Sequence, residues 1–263
     1  MKLTFCKYHG AGNDFIIIDN RSGEYTLDNR QIALVCHRRF GIGADGLMLL
    51  ESAEAPYGFA MHFYNSDGYE GTMCGNGGRC ISAFADRLGI DNLLFTAVDG
   101  PHKAIVLDRK DNVSIIKLQI RDVPEIKTYD TDSYIVNTGS LHLVKFVKDV
   151  QNTDVFGEGK YWRSHKDFGT HGINVNFVEI LDNGCLFVRT FERGVEDETW
   201  ACGTGSTASA IAAGIYTGNG LTHWDIQTKG GNLQVDYEPH NGTFRNVMLS
   251  GPAAFIFRGE AEI

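Results

Sequence analysis

The sequence predicts an α/β chain (α+β in its strand-rich balance) built from two homologous halves, each a mostly antiparallel sheet wrapped around a central buried helix. Three observations predict it. Strand-like runs far outnumber helical ones. Glycine supplies 31 of 263 residues, above the usual ~7%, and the glycines gather in short polar runs, as functional loops require. Landmarks also recur at a nearly constant offset. Gly12 and Gly139 lie 127 residues apart, as do Asn65 and Glu192; Cys74-Gly75 and Gly77 recur 128 later as Cys202-Gly203 and Gly205; Gly43 and Gly172, and Gly89 and Gly218, are 129 apart. Six such pairings in order place the boundary between halves near residue 120.

Taken in order, strands are expected at 14–19 (DFIIID), 46–51, 59–65, 92–98, 103–107 and 113–120. They continue at 134–137, 142–148, 174–180, 185–191, 232–237, 244–249 and 253–258. Helices are expected at 27–38 and near 160–165, and after each of two cysteines. Ile81, Phe84, Ala85 and Leu88 follow Cys74 at i, i+3, i+4 and i+7 spacing, and Ala208, Ile211, Ala212 and Ile215 follow Cys202 likewise. Both patterns are apolar on most sides, which predicts helices enclosed by sheet.

A net charge of −9 and a pI near 5.4 argue against a nucleic-acid or phosphate-binding surface. No apolar run is long enough to span a membrane, and the opening MKLTFCKYHG lacks the apolar core of an export signal. A cytoplasmic protein with reduced cysteines is expected. Cys6, Cys36, Cys80 and Cys185 sit in no motif and are expected to be structural, and Trp162, Trp200 and Trp224 to be packing residues. The cysteine spacings suit no zinc knuckle, so no metal is expected.

Chemistry concentrates in two loops, NSDGYEGTMCGNGGRC (65–80) and ERGVEDETWACGTGSTASA (192–210). Each runs from a polar strand end through glycines to Cys-Gly-x-Gly and a helix. The glycines let backbone N–H groups approach a ligand, and the helix N-terminus suits an anion such as a carboxylate. The same position favours the thiolate of a cysteine. Two copies at equivalent places in a duplicated fold are expected to put two sulfurs on opposite walls of a cleft between the halves. That arrangement suits inversion of a carbon centre: one thiolate removes a proton from one face while the opposing thiol delivers one to the other. No lysine signature of a pyridoxal cofactor stands out, so no cofactor is expected.

With these residues in view, the chain resembles the diaminopimelate epimerase family. The likeness rests on GAGNDFIIID (10–19), GIGADGLMLL (41–50), FYNSDG with MCGNGGRC, GINVNFVEI (172–180), and RTFERG with ACGTG (189–205). It implies an isomerase of lysine biosynthesis that interconverts LL- and meso-diaminopimelate, with Cys74 and Cys202 as acid/base pair. Gly75-Asn76 and Gly203-Thr204 would bind the carboxylate at the reacting carbon, and Glu192 with the Arg193 carbonyl its ammonium group. Asn65, Asn174 and the Arg193 side chain would read the distal end, with Asn13 completing the pocket and His142 in support. The resemblance also implies a homodimer and the return of 251–263 to the first half (1–120), leaving 121–250 as the second. Ser140 stands where the family often has a substrate-contacting asparagine, and Gly46 where some members have glutamine.

The alternatives are a proline racemase-like enzyme and a thiol redox protein that switches a Cys74–Cys202 disulfide. The proline racemase family usually has histidine after the first Cys-Gly, where this chain has Asn76. Phenazine-type isomerases share the expected fold without the thiols. A redox protein leaves Asn13, Asn65, Asn174, Glu192 and Arg193 unexplained.

Overall fold

The chain opens with β1 (Lys2–Gly10), which turns at Ala11-Gly12 into β2 (Asn13–Asp19). Both turn residues have positive φ, 51° and 90°, and glycine takes the second at no steric cost. The structure is a computed structural model that describes residues 1–182 and 184–263. It divides into two units: Met1–Leu118 with Gly251–Ile263, and Gln119–Ser250.

In the first unit α1 (Asn29–Cys36), β3 (Gly46–Glu51), β4 (Phe59–Asn65), α2 (Gly75–Arg87), β5 (Leu94–Ala97), β6 (Gly100–Lys110) and β7 (Val113–Gln119) follow. The pairs β1–β2, β3–β4, β5–β6 and β6–β7 are antiparallel, while β2–β3 and β4–β5 are parallel. Parallel neighbours need a crossover, and α1 and α2 provide the two. The apolar runs of β2 and β3 are buried on both faces because a helix covers each. Ile16, Ile18, Leu47 and Leu49 pack with Ile32 and Val35 of α1. On the opposite face, Phe15 and Met48 approach Gly77 of α2. α2 is buried from Gly75 to Ala85.

The second unit contains β8 (Ile126–Asp130), β9 (Ser133–Asn137), β10 (Leu141–Phe146), α3 (Val155–Arg163), β11 (Asn174–Asp182), β12 (Cys185–Glu192), β13 (Asp197–Thr199), α4 (Gly203–Thr217), β14 (His223–Thr228) and β15 (Gly231–His240). The last strand, β16 (Thr243–Glu262), begins here. The pairings repeat those of the first unit. β9–β10, β11–β12, β14–β15 and β15–β16 are antiparallel, and β10–β11 and β12–β14 are parallel across α3 and α4. α4 is buried over most of Gly203–Ala213, and Leu143, Val175 and Phe177 pack with Val155 of α3. Gly139, Gly172 and Gly218 have positive φ, as do their counterparts Gly12, Gly43 and Gly89.

In the first unit, residues 251–254 of β16 pair β7 and residues 254–262 pair β1. The strands therefore close into a barrel around α2. In the second unit Val123 and Phe244 exchange backbone hydrogen bonds at 2.8 and 2.9 Å, and β8 pairs β9.

Several details differ from the sequence expectations. The two strands expected at 244–249 and 253–258 are one, because Pro252 sits opposite Ile115 without interrupting β16. α3 begins at Val155, capped by Asp154, and ends at Arg163, so it starts five residues before the expected 160–165 span and overlaps it over 160–163. Trp200 is 61% exposed and is not a core packing residue, whereas Trp224 is fully buried. Among the described residues, no helix is long and apolar enough to cross a membrane.

Candidate active site

Each unit places a cysteine at the N-cap of its enclosed helix, and the two surroundings differ. In the first, Cys74 has extended backbone (φ −105°, ψ 151°), and its sulfur accepts the Gly77 N–H at 3.2 Å. Gly78 N–H closes the turn on the Cys74 carbonyl at 2.8 Å. A Cβ at Gly77 would stand 3.2 Å from that sulfur, so the glycine lets the amide reach it. Asn76 follows in the first helical turn, where N–H groups lack acceptors within the helix.

Asn76 reaches Asn13 through its amide nitrogen (3.5 Å to Oδ1) and accepts from the fully buried Arg79 at 2.8 Å. Arg79 also donates to the Gly75 carbonyl at 3.0 Å. Asn13 donates in turn to Asp45 Oδ2 at 2.8 Å, and Arg38 holds Asp45 and Asp14 together. These contacts orient both amides: Asn76 turns its oxygen to a guanidinium and Asn13 its nitrogen to a carboxylate. Asn65 ends β4 opposite Gly46. A Cβ at Gly46 would lie 2.6 Å from the Phe63 ring, so glutamine has no room here. Asn65 also heads a turn, exchanging backbone bonds with Gly68 and Tyr69 at 2.9 Å.

In the second unit Cys202 caps α4 and lies 3.5 Å from the Thr204 hydroxyl. That hydroxyl is 3.0 Å from His142 Nε2 and 3.2 Å from Ser140 Oγ, and Ser140 Oγ is 2.9 Å from the same ring nitrogen. Thr138 fixes the Thr204 carbonyl at 2.9 Å. His142 is fully buried, and burial, followed by the Arg193 charge, pushes its pKa down to about 3. The ring is neutral, and Asn176 sets its tautomer. The Asn176 amide donates to the Leu143 carbonyl at 3.1 Å and accepts from Thr190 at 2.9 Å, so its nitrogen faces His142 Nδ1 at 3.1 Å. Nδ1 therefore accepts, and Nε2 carries the hydrogen toward the Ser140 and Thr204 hydroxyls.

Asn174 precedes Asn176 by two residues on β11, on the same strand face. It donates to the Leu141 carbonyl at 3.1 Å and accepts the Arg193 backbone N–H at 2.9 Å. The Arg193 side chain donates to the His171 carbonyl at 3.4 Å and is exposed. Glu192 is half-buried at the end of β12, in a turn where the Glu196 N–H bonds its carbonyl at 2.8 Å.

The first unit thus gathers Asn13, Gly75 and Asn76 with Cys74, and the second gathers His142, Gly203 and Thr204 with Cys202. The sequence reading missed Arg79, Asp45, Asn176 and Thr190. Arg79 and Asn176 lay inside quoted motifs, five residues after Cys74 and two after Asn174. Thr190 lies two residues before Glu192, on the same face of β12.

The diaminopimelate epimerase family profile matches residues 5–117 and 134–256. A protein of Flavobacterium psychrophilum named diaminopimelate epimerase is 46% identical over 263 residues, covering 98% of each chain. One of Chlorobaculum tepidum, of the same name, is 41% identical over 258 residues, covering 95% of this chain and 98% of its own. Among solved structures, a Bacillus anthracis phenazine biosynthesis protein of the PhzF family covers both chains completely with a TM-score of 0.77 at 15% identity, a likeness of fold alone. On the family match and on the identity held over nearly the full chain, this protein belongs to the diaminopimelate epimerase family.

Proposed function

We propose that the chain interconverts LL- and meso-diaminopimelate by removing a proton from one face of a single carbon and returning one to the other. Family membership supports the substrate, and the recurrence of a cysteine N-cap on the enclosed helix of both repeats carries the chemistry. Cys74 and Cys202 are the two acid/base groups, and each is acid in one direction and base in the other. Helix N-termini at Gly75-Asn76 and Gly203-Thr204 hold the carboxylate where enolate-like charge develops. Glu192 and the Arg193 carbonyl take the reacting ammonium, and Asn65, Asn174 and the Arg193 side chain the distal end, with Asn13 beside Asn76. His142 supports Thr204. The reading extends to a step of lysine biosynthesis, a cytoplasmic location, a homodimer and catalysis without a cofactor.

The test is turnover of LL-diaminopimelate in deuterated water. Early product should carry deuterium while recovered substrate stays mostly unlabelled, and Cys74→Ala and Cys202→Ala should each abolish epimerisation in both directions. Full activity in Cys202→Ala would overturn the two-thiol reading and leave a single-base or redox enzyme. Turnover of proline in place of diaminopimelate would overturn the substrate.

A further inference from the structure

Arg79 is a fully buried cation whose hydrogen bonds go to the Gly75 carbonyl, Asn76 Oδ1 and, at 3.5 Å, the Pro252 carbonyl. None of these acceptors is a carboxylate, and among the described residues Arg79 makes no ion pair. Burial pushes its pKa down, yet a guanidinium starts so high that it stays charged. Buried charges are ordinarily paired, because an uncompensated one is costly. The negative charge that answers Arg79 must therefore come from the site itself.

At the 128-residue offset that relates the two cysteine loops, Arg79 corresponds to Thr207. Arg79 donates to the Gly75 carbonyl at 3.0 Å, and Thr207 donates to the Gly203 carbonyl at 2.9 Å. One repeat puts a cation behind its cysteine loop, and the other a neutral hydroxyl. The strand ends differ in the complementary sense, with neutral Asn65 in the first repeat and acidic Glu192 in the second. The buried cation of the first repeat favours negative charge on the first sulfur over the second.

On α2 and the strands packed against it, Asp86 pairs with Arg109 at 2.5 Å and Asp19 with Arg21 at 2.7 Å, so neither supplies that charge. Burial pushes the Cys80 and Cys6 thiols and the Tyr8 phenol up, so all three stay neutral. Lys7 and Asp14 pair with one another at 2.7 Å. Asp99 accepts the Met73 N–H at 3.3 Å and opposes the effect, but it also faces His102 Nε2 at 3.1 Å.

We propose that Arg79 is the positioning charge that makes Cys74 the resting thiolate and leaves Cys202 the resting thiol. The assignment rests on the acid/base reading above and goes beyond it by making the two cysteines inequivalent before substrate arrives. It also assigns direction: the resting enzyme is poised to take a proton at Cys74 and to give one from Cys202.

The experiment alkylates the full-length protein with iodoacetamide, without substrate, across pH 5.5–9, and follows the Cys74 and Cys202 peptides separately by mass spectrometry. Cys74 should react faster than Cys202 at pH 7. Arg79→Met should slow Cys74 by about tenfold or more at that pH, since an opposite charge nearby is worth a unit or more, while Cys202 changes less than about twofold. Arg79→Lys, which keeps the charge, should restore most of the Cys74 rate. A second measurement uses no Arg79 variant: thiolate absorbance near 240 nm at pH 7 should vanish in Cys74→Ala and persist in Cys202→Ala. Faster alkylation of Cys202, an unchanged Cys74 profile in Arg79→Met, or absorbance lost in Cys202→Ala instead would each overturn the proposal. Neither measurement uses diaminopimelate, so a protein that shows this pattern yet fails to epimerise it would refute only the functional reading.

Discussion

The Asn176 side-chain amide, 3.1 Å from His142 Nδ1, decides which ring nitrogen keeps its hydrogen. The ring is buried, neutral and hydrogen-bonded at both nitrogens. Asn176→Asp replaces a donor by an acceptor of the same shape. The hydrogen should move to Nδ1, leaving Nε2 to accept from Thr204 rather than donate. Nitrogen-15 shifts of the imidazole should report the exchange, with about 1–3 kcal/mol of stability lost. Unchanged shifts would disprove the tautomer assigned here.

Stability should depend on pH through the same ring. Its usual pKa is 6.5 and in the fold it lies near 3. Between those values the unfolded chain takes up a proton that the native one refuses, so stability is whole above about pH 6.5 and falls as pH drops toward 3. Asp14 acts in a lower window. Burial alone would raise its pKa, but hydrogen bonds from Arg38 and Lys7 outweigh that and hold it below the usual carboxylate range. Its contribution is present above the ordinary aspartate value near 4 and is lost below it. Urea midpoints should decline from pH 6.5 to 4.5 in the parent and stay nearly level in His142→Gln. An equal decline in both proteins would remove His142 as the cause.

Gly77 and Gly205 occupy the same position in the two cysteine loops and should respond differently to alanine. At Gly205 a Cβ would stand 2.2 Å from Asn176 Oδ1, a contact that forces movement. At Gly77 it would meet the Cys74 sulfur at 3.2 Å and Met48 Sδ at 3.5 Å. Gly205→Ala should therefore lose about 1–3 kcal/mol by overpacking. Gly77→Ala should fold with less loss while slowing turnover by crowding the sulfur. Urea denaturation and kcat separate the two effects, and equal destabilisation would count against the crowding at Asn176.

Arg193→Lys tests the distal end of the substrate. A planar guanidinium can grip a carboxylate with two parallel bonds, and an ammonium cannot. A fall in kcat/KM of about 10–100-fold is expected, carried chiefly by KM. An unchanged KM would place the distal carboxylate elsewhere.

Legibility in the sequence followed the physics of each element. β3 and β4 match their expected bounds because a run buried on both faces (β3) and a regular alternation (β4) are unambiguous. β1 went unnoticed because Lys7 interrupts its apolar alternation. In the fold that lysine is buried, paired with Asp14 and bonded to the Gly43 carbonyl. β8 has no buried residue to betray it. The Gly251-Pro252 dipeptide reads as a break, yet it lies inside β16. Within the loops, cysteines, glycines and asparagines were legible because their spacing states their chemistry. Arg79 and Asn176 act through other residues, and a contact at second hand leaves no period in a sequence.

The N-terminal ammonium of Met1 donates to the Ile263 carbonyl at 2.6 Å, and the Ile263 N–H returns a bond to the Met1 carbonyl at 2.9 Å. Met1 and Ile263 are thus adjacent rungs of one ladder, formed where β16 lies along β1. A short flexible linker between Met1 and Ile263 would close residues 1–263 into a ring without moving either residue. That ring could be reopened at Asp111 or at Asn241-Gly242, hairpin turns where the backbone already has positive φ. Circular permutants cut there should fold and turn over substrate. Folding would then depend on which strands pair and not on the order in which the repeats are joined.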